Sequence, residues 1–373
     1  MKGTKYRMSN KILFISSEFP PGPGGIGSHA YDIANELTKK GYQIIINTKS
    51  DYVDQNQEVM FDEKCQFKIY RFKKKKTIIQ SWINRFIRIR KTILKYNIKR
   101  VVISGEFSIW TIPFVKIYGG IKITSVIHGT ELGRNLFLKW TYFCLGKSNQ
   151  IISVSNFTKT LIPKHLKIKT HVINNGIDVD KWNGTDQEKS LLNFPILLTV
   201  GSISIRKGQH NVIKFLPKII KEFPLTHYHC IGNDENKKEL IKLIEKYGLY
   251  NNVTFHGIIK HSELEKFYKI AHVNMMLSDD NNKTDFEGYG ISVLEGNLYG
   301  LPAIGAEKSG LEDAIIDQYN GKLVNPNKED EVIESLKIIF LNYTSYSFQS
   351  KLHAIDNKWS SKISRYEKYI YSK

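Results

Sequence analysis

The chain is 373 residues long, 41% hydrophobic and 24% charged, and no apolar run approaches the roughly 18 to 20 residues that span a bilayer. That length exceeds what one ordinary core organises and suits two domains, while three widely spaced cysteines, Cys65, Cys144 and Cys230, fit neither a disulfide framework nor a compact zinc site. The formal net charge of +19 is lopsided, because residues 1–170 carry 30 Lys/Arg against 10 Asp/Glu and residues 171–373 carry 25 against 26.

The first apolar run, KILFIS at 11–16, is too short for a signal-peptide core and lacks a small-residue cleavage site. It reads as a buried strand, and a cytoplasmic location is the resulting expectation. Further strands are expected at 42–48, 101–104, 123–128 and 151–154, with helices near 27–40, 81–96 and 156–163 between them. Such alternation marks βαβ units around a parallel sheet. The densest basic stretch runs from RFKKKKT (71–77) through NRFIRIRKTILKYNIKR (84–100) and interleaves cations with Ile, Phe and Leu at helical spacing. It predicts an amphipathic basic helix, either a solvated face or one that lies on anionic lipid. Nucleic acid is a poorer partner, since no zinc-finger spacing, RNP-like aromatic motif or heptad-bearing basic region accompanies the charge.

A second series begins at PILLTVGSI (195–203) and continues with LTHYHCIG, NVTFHG, VNMMLS, PAIGA and GKLVNP, separated by helical patterns at 208–221, 235–247 and 262–270. The joint falls in the polar stretch 176–194, and the last residues, from 358, read as an amphipathic helix that crosses back onto the first lobe. The expected fold class is α/β, two Rossmann-like doubly wound lobes facing a cleft. The expected domains are 1–185, 186–355 and a terminal helix at 356–373. In open α/β sheets ligands settle outside the carboxyl ends of the strands, so functional residues are sought in the turns that follow them.

After the first strand, Gly22, Gly24 and Gly27 satisfy G-x-G-x-x-G, but the flanking prolines and the missing acid about 20 residues on argue against a dinucleotide site. The general feature that survives is a helix start at which the N–H groups of Gly24, Gly25 and Ile26 can meet phosphate. His128 follows a strand and is placed to meet a sugar hydroxyl or phosphate. Arg206 and Lys207 precede Gly208 at a strand-to-helix turn and can neutralise a diphosphate. In DFEGYGISVLEGNLYGLPAIG, Glu287 falls in a loop and Glu295 on the helix that stops at Gly300, while Gly290, Ile291 and Ser292 present amides at the helix start. Two carboxylates around an anion site make sense if each accepts sugar hydroxyls. The acid cluster at Asp279, Asp280 and Asp285 reads as a polar loop rather than a metal site.

EGYGISVLEGNLYGLPAIGAEKSGLEDAI…NGKLVNP resembles the C-terminal signature of the family 4 retaining glycosyltransferases of the two-lobed GT-B architecture (glycosyl transferases group 1). PPGPGGIGSHAYDIANELTKKGYQI, HGTE, VSNFTK, INNGIDVDKW, VGSISIRKGQ and NVTFHGII are similar to further family segments in the same order. The resemblance implies transfer of a hexose from a nucleoside diphosphate sugar to the hydroxyl of a sugar or lipid-linked acceptor, with retention, no cofactor and no metal. It implies that Glu287 contacts the donor sugar and Glu295 the ribose. Arg206 and Lys207 would hold the diphosphate with Gly24, Gly25, Ile26, Gly290, Ile291 and Ser292. His128 would meet the transferred sugar, and Gly257 and Ile258 the base. The chain departs from the family pattern at Ser202 in the phosphate turn, at Asn233 and Asp234 after the IG, and at Gly296 after the second glutamate.

The setting implied is surface polysaccharide, lipopolysaccharide or glycolipid synthesis at the inner face of a bacterial membrane, with the basic first lobe on anionic lipid and no nucleic acid. Two alternatives remain open from the residues. One is a nucleotide-sugar 2-epimerase of the same fold, which needs acids and histidines poised for proton abstraction where only His128 is found. The other is a non-enzymatic basic lipid- or nucleic-acid-binding protein, which leaves both glutamates idle.

Overall fold

The computed structural model describes residues 10–22, 24–50, 54–73, 75–133, 136–182, 189–234, 237–279 and 285–372. The chain divides into two compact units, residues 1–173 with 359–373, and residues 174–358. The stretch after Ile173 is tied into the second unit, where the Asn174 amide donates to Asp313 at 3.0 Å and the Ile177 N–H to the Asn357 carbonyl at 2.9 Å.

Strands buried on both faces need no polar alternation, and the apolar runs of this chain all become parallel strands. In the first unit these are β1 (Lys11–Ser16), β2 (Gln43–Ser50), β3 (Lys68–Lys73), β4 (Arg100–Ser104), β5 (Lys122–Ile127), β6 (Gln150–Ser153) and β7 (Thr170–Val172), in the order β3-β2-β1-β4-β5-β6-β7. Leu13 pairs with Ile45 on one side and Val101 on the other, and all three are buried. The second unit holds β8 (Ile196–Val200), β9 (His227–Ile231), β10 (Val253–Phe255), β11 (Val273–Met276), β12 (Ala303–Ala306) and β13 (Gly321–Val324), in the order β10-β9-β8-β11-β12-β13. Each sheet therefore reverses direction once, between β1 and β4 in the first and between β8 and β11 in the second. At such a switch point the turns leaving two neighbouring strands diverge and leave room for a ligand.

Helix Trp359–Ile370 is part of the first unit's core. Trp359, Ile363, Tyr366 and Ile370 form its buried stripe, and the Trp359 indole N–H donates to Asp32 on helix Gly25–Lys39 at 2.9 Å. The burial stripe repeats every three or four residues, as an amphipathic helix requires.

The basic stretch is less uniform than its composition indicates. Arg71 to Lys73 lie in β3, and helix Ile78–Tyr96 starts only after Thr77, whose hydroxyl accepts from the Gln80 N–H at 3.2 Å. Arg71 is no surface charge: it is bound to Asp62 at 2.8 Å and lies 3.6 Å from Glu58. The helix itself buries Arg85, Ile89, Thr92, Ile93 and Tyr96, while Ile78, Ile79, Ile83 and Ile87 are exposed. None of the described helices is long and apolar enough to cross a membrane.

Candidate active site

In the second unit the chain leaves β8 through a 3-10 turn, Ile205–Lys207, and enters helix Gln209–Glu222 at Gly208. Gly208 has φ +75°, and a Cβ there would lie 1.8 Å from the Leu277 carbonyl oxygen. Only glycine lets this turn press against the end of β11, the neighbour of β8. That approach brings Arg206 and Lys207 to the loop after β11. Arg206 donates through Nε to Asp285 at 2.8 Å and through Nη1 to Glu287 at 2.6 Å, and Lys207 Nζ lies 2.9 Å from the same Glu287 oxygen. A second close approach holds the loop from behind: a Cβ on Gly310 would fall 2.2 Å from the Gly288 carbonyl, and the Gly310 N–H donates to the Glu287 carbonyl at 2.9 Å.

Glu287 is 5% exposed. Burial alone raises a carboxyl pKa, but two cations within hydrogen-bond reach outweigh it, so Glu287 is held below the usual range and is ionised. Arg206 faces two carboxylates, which overcome the cost of burial and raise its pKa. For Lys207, burial outweighs the pull of Glu287, which it shares with Arg206, and of the nearby Glu295, and that arginine repels it, so its pKa is lowered.

Glu295 lies on helix Ile291–Leu298 and does not bond to this trio. Its partner is the Tyr268 hydroxyl at 2.8 Å, and burial raises its pKa against that bond and the nearby Lys181 and Lys207. Gly290 begins the helix and accepts from the Val293 N–H at 2.9 Å. Ile291 is half-buried, and buried Ser292 is anchored by the Asn274 amide, which donates to its carbonyl at 2.7 Å. The β8, β9 and β10 turns stack together. The Gly232 N–H donates to the Gly257 carbonyl at 2.9 Å, and a Cβ on Gly232 would lie 3.0 Å from the Ser202 nitrogen. Ser202 and Ile258 are exposed beside them.

In the first unit the turn after β1 ends at Gly24, the residue before helix Gly25–Lys39; Gly25 and Ile26 form its first turn, and Pro23 lies outside the described residues. The Glu18 carboxylate occupies the place a Cβ on Gly24 would take, 2.1 Å away, so an acid already faces this helix start. His128, at the end of β5, is buried with Nε2 2.9 Å from the Ser104 hydroxyl at the end of β4. Burial lowers its pKa to about 3. His29 meets it edge-on, with centroids 4.7 Å apart, and is bound through Nε2 to the Tyr366 hydroxyl at 2.9 Å.

The structure thus joins Arg206, Lys207 and Glu287 directly and sets Glu295 and the 290–292 helix start in the same unit. His128 and the Gly24–Ile26 turn belong to the other unit. Sequence reasoning missed Asp285, Tyr268, His29, Tyr366 and Glu131. It took Asp285 for a plain polar loop residue, whereas the structure binds it to Arg206; Asp280 of the same cluster lies outside the described residues. Glu131, in the HGTE segment, accepts from the His128 N–H at 3.0 Å, and burial raises its pKa to about 7.

Two family models together match residues 23–354: Glycosyltransferase Family 4 over residues 23–181 and Glycosyl transferases group 1 over residues 180–354. A GDP-mannose-dependent alpha-(1-6)-phosphatidylinositol monomannoside mannosyltransferase of Mycobacterium tuberculosis is 21% identical over 348 residues, covering 89% of this chain and 90% of its own. Among solved structures, sucrose-phosphate synthase from Thermosynechococcus elongatus is similar with a TM-score of 0.79, 17% identity and coverage of 96% and 97% of the two chains. Anabaena HepE in complex with UDP and glucose gives a TM-score of 0.77, 17% identity and coverage of 96% and 98%.

Proposed function

The chain belongs to the family 4 glycosyltransferases, built as two Rossmann-like lobes and acting on a nucleotide sugar, and from that premise we propose that it moves a hexose to a hydroxyl of a lipid-linked surface glycan precursor with retention of configuration. The observation that carries the reading is the ionised Glu287 held between Arg206 and Lys207 at the switch point of the second sheet.

Breaking the sugar–phosphate bond builds negative charge on the diphosphate and positive charge at the anomeric carbon. Arg206, Lys207 and the amides at Gly290, Ile291 and Ser292 address the first, each such donor being worth roughly 3 to 4 kcal/mol in comparable sites. These fixed charges do the work a divalent ion does elsewhere, so the proposal needs no metal. With the diphosphate beside the cations, Glu287 is released to accept hydroxyls of the donor sugar, and Glu295 those of the ribose. Gly257, Ile258 and Ser202 line the turns assigned to the base and its diphosphate, and Gly24, Gly25 and Ile26 are assigned to phosphate. His128 is neutral above its lowered pKa, so its assigned contact with the transferred sugar is a hydrogen bond and not a charge. Attack on the leaving-group face, with a diphosphate oxygen taking the acceptor proton, requires no enzymic nucleophile.

The setting is the inner face of a membrane, with the excess of cations in residues 1–170 meeting anionic lipid. Turnover is tested with a panel of UDP- and GDP-hexoses and short lipid-linked acceptors, with and without EDTA. Sugar transfer that survives EDTA is expected; nucleotide-sugar binding without transfer to any acceptor hydroxyl, or isomerised donor as the product, would refute the reading. Sedimentation with anionic liposomes at low salt tests the membrane part separately.

A further inference from the structure

A cavity of about 440 Å³ opens on the first unit and takes its walls from the carboxyl ends of β2 and β3, the first turns of helix Ile78–Tyr96 and Phe107 after β4. Its apolar lining is Phe72, Ile78, Trp82 and Phe107. Lys49, Lys73, Lys75, Lys76 and Arg85 line it together with Ser50, Thr77 and Ser81, and no carboxylate is among the described lining residues. The strand ends place it where open parallel sheets bind ligands.

Arg85 is the informative member. It is 9% exposed, its guanidinium lies 4.6 Å from the Phe72 ring centroid and 4.7 Å from that of Trp82, and Nη1 donates to the Phe107 carbonyl at 2.7 Å. Among the described residues no carboxylate stands within ion-pair distance of it, and burial pulls its pKa down to about 10. A buried guanidinium ordinarily recovers its lost hydration from an acid. The same unit does this for Arg71, equally enclosed, with Asp62 and Glu58. Among the described residues, carboxylates are therefore supplied to one buried arginine, while the other, in a cation-lined cavity, has aromatic faces and one carbonyl.

Cations on an aromatic and aliphatic wall fit a ligand that is anionic at one end and hydrocarbon at the other. Ile78, which lines the cavity, is 78% exposed and its neighbour Ile79 is 72% exposed, so the apolar wall continues onto the open surface, where a longer chain can leave toward a bilayer. We propose that this cavity binds a phosphorylated lipid, its phosphate met by Arg85 and the lysines and its first carbons lying along Trp82, Phe72, Ile78 and Phe107. Resting on the transferase reading, this names the acceptor class: a lipid whose phosphate is adjacent to the hydrocarbon.

The test uses the full chain and calorimetric titration. Farnesyl phosphate, short-chain phosphatidic acid, farnesol and inorganic phosphate are titrated below their aggregation limits, and a nucleoside diphosphate is titrated in parallel. Binding of either lipid phosphate at least tenfold tighter than both farnesol and inorganic phosphate is expected, the preferred one identifying an isoprenoid or a glycerolipid source. Lys75 and Lys76 are exposed, so the double variant Lys75→Glu/Lys76→Glu folds and should weaken lipid phosphate tenfold or more while leaving nucleoside diphosphate binding unchanged. Equal binding of farnesol, undiminished binding by the double variant, or no lipid phosphate binding by a protein that binds nucleoside diphosphate overturns the proposal. Failure to bind any nucleoside diphosphate with lipid phosphate binding intact refutes the transferase reading and sustains the cavity.

Discussion

Arg206 donates to Glu287 at 2.6 Å across 81 residues of sequence, from the turn after β8 to the loop after β11. Because Lys207 reaches the same oxygen, Glu287 stands as the counter-ion of two enclosed cations. Replacing it by glutamine is expected to destabilise the second unit by about 3 kcal/mol, the usual cost of leaving buried charges uncompensated. The uncancelled cations should bind free nucleoside diphosphate about tenfold more tightly, or about 1.4 kcal/mol, while transfer falls at least a hundredfold. Denaturant unfolding, titration and turnover of Glu287→Gln measure the three effects; unchanged nucleotide affinity would show that the trio is only structural.

Burial of His128 has a consequence for acid stability. Its folded pKa, about 3, lies below the unfolded value near 6.5, so the unfolded chain binds the proton and stability is lost as pH falls below 6.5. Between pH 7 and pH 5 this one group removes roughly 2 kcal/mol. Glu131 works in the opposite sense, since its raised pKa makes ionisation costly as pH rises toward about 7. A difference measurement separates them: the stability gap between wild type and His128→Gln should narrow by about 2 kcal/mol from pH 7 to pH 5. A gap that stays constant over that range would mean His128 is not buried neutral.

Two glycines with positive φ should respond differently to alanine. Gly257 has φ +64° and open space around a Cβ, so Gly257→Ala pays only the backbone strain of roughly 1 to 2 kcal/mol. Gly208 has φ +75° and a carbonyl 1.8 Å from the same position, so Gly208→Ala should exceed about 4 kcal/mol or fail to give a folded second unit. Comparable unfolding midpoints for the two variants would contradict the packing of the β8 turn on β11.

Trp359 tests the place of the terminal helix. Its fully enclosed ring and its bond to Asp32 predict that Trp359→Ala lowers the stability of the first unit by about 3 to 5 kcal/mol. Nucleoside diphosphate protection of the second unit should persist in the same sample. A single unshifted unfolding transition would exclude this role.

Much of the fold was legible because parallel strands buried on both faces are written as short apolar runs. KILFIS, PILLTV and VNMM announce β1, β8 and β11 at nearly their observed limits. β3 escaped, since KIYRFK carries a cation at three of its six positions and only Phe72 of the strand is buried. Its cations therefore read as an extension of the following helix. In the site, glycine spacing and the C-terminal stop at Gly300 located helix Ile291–Leu298, but nothing local announced Asp285 as a partner of Arg206 or Tyr268 as a partner of Glu295.

By itself the sequence determined the two series of βαβ units, the family, and which residues stand at strand ends, because periodicity and turn chemistry act over a few neighbouring residues. Only the tertiary structure decided who meets whom there. β8 hydrogen-bonds to β11, although β9 and β10 intervene in sequence, and that crossover sets Arg206 and Lys207 against Glu287. The same kind of non-local packing seats Trp359 on the helix that follows β1 and encloses Arg85 between Phe72 and Trp82. Charge counting along the chain assigns the basic stretch that holds Arg85 to a cationic surface and leaves Arg206 and Lys207 in a near-neutral half; burial and partner geometry make Arg206 and Lys207 the counter-ions of one carboxylate and leave Arg85, among the described residues, without one.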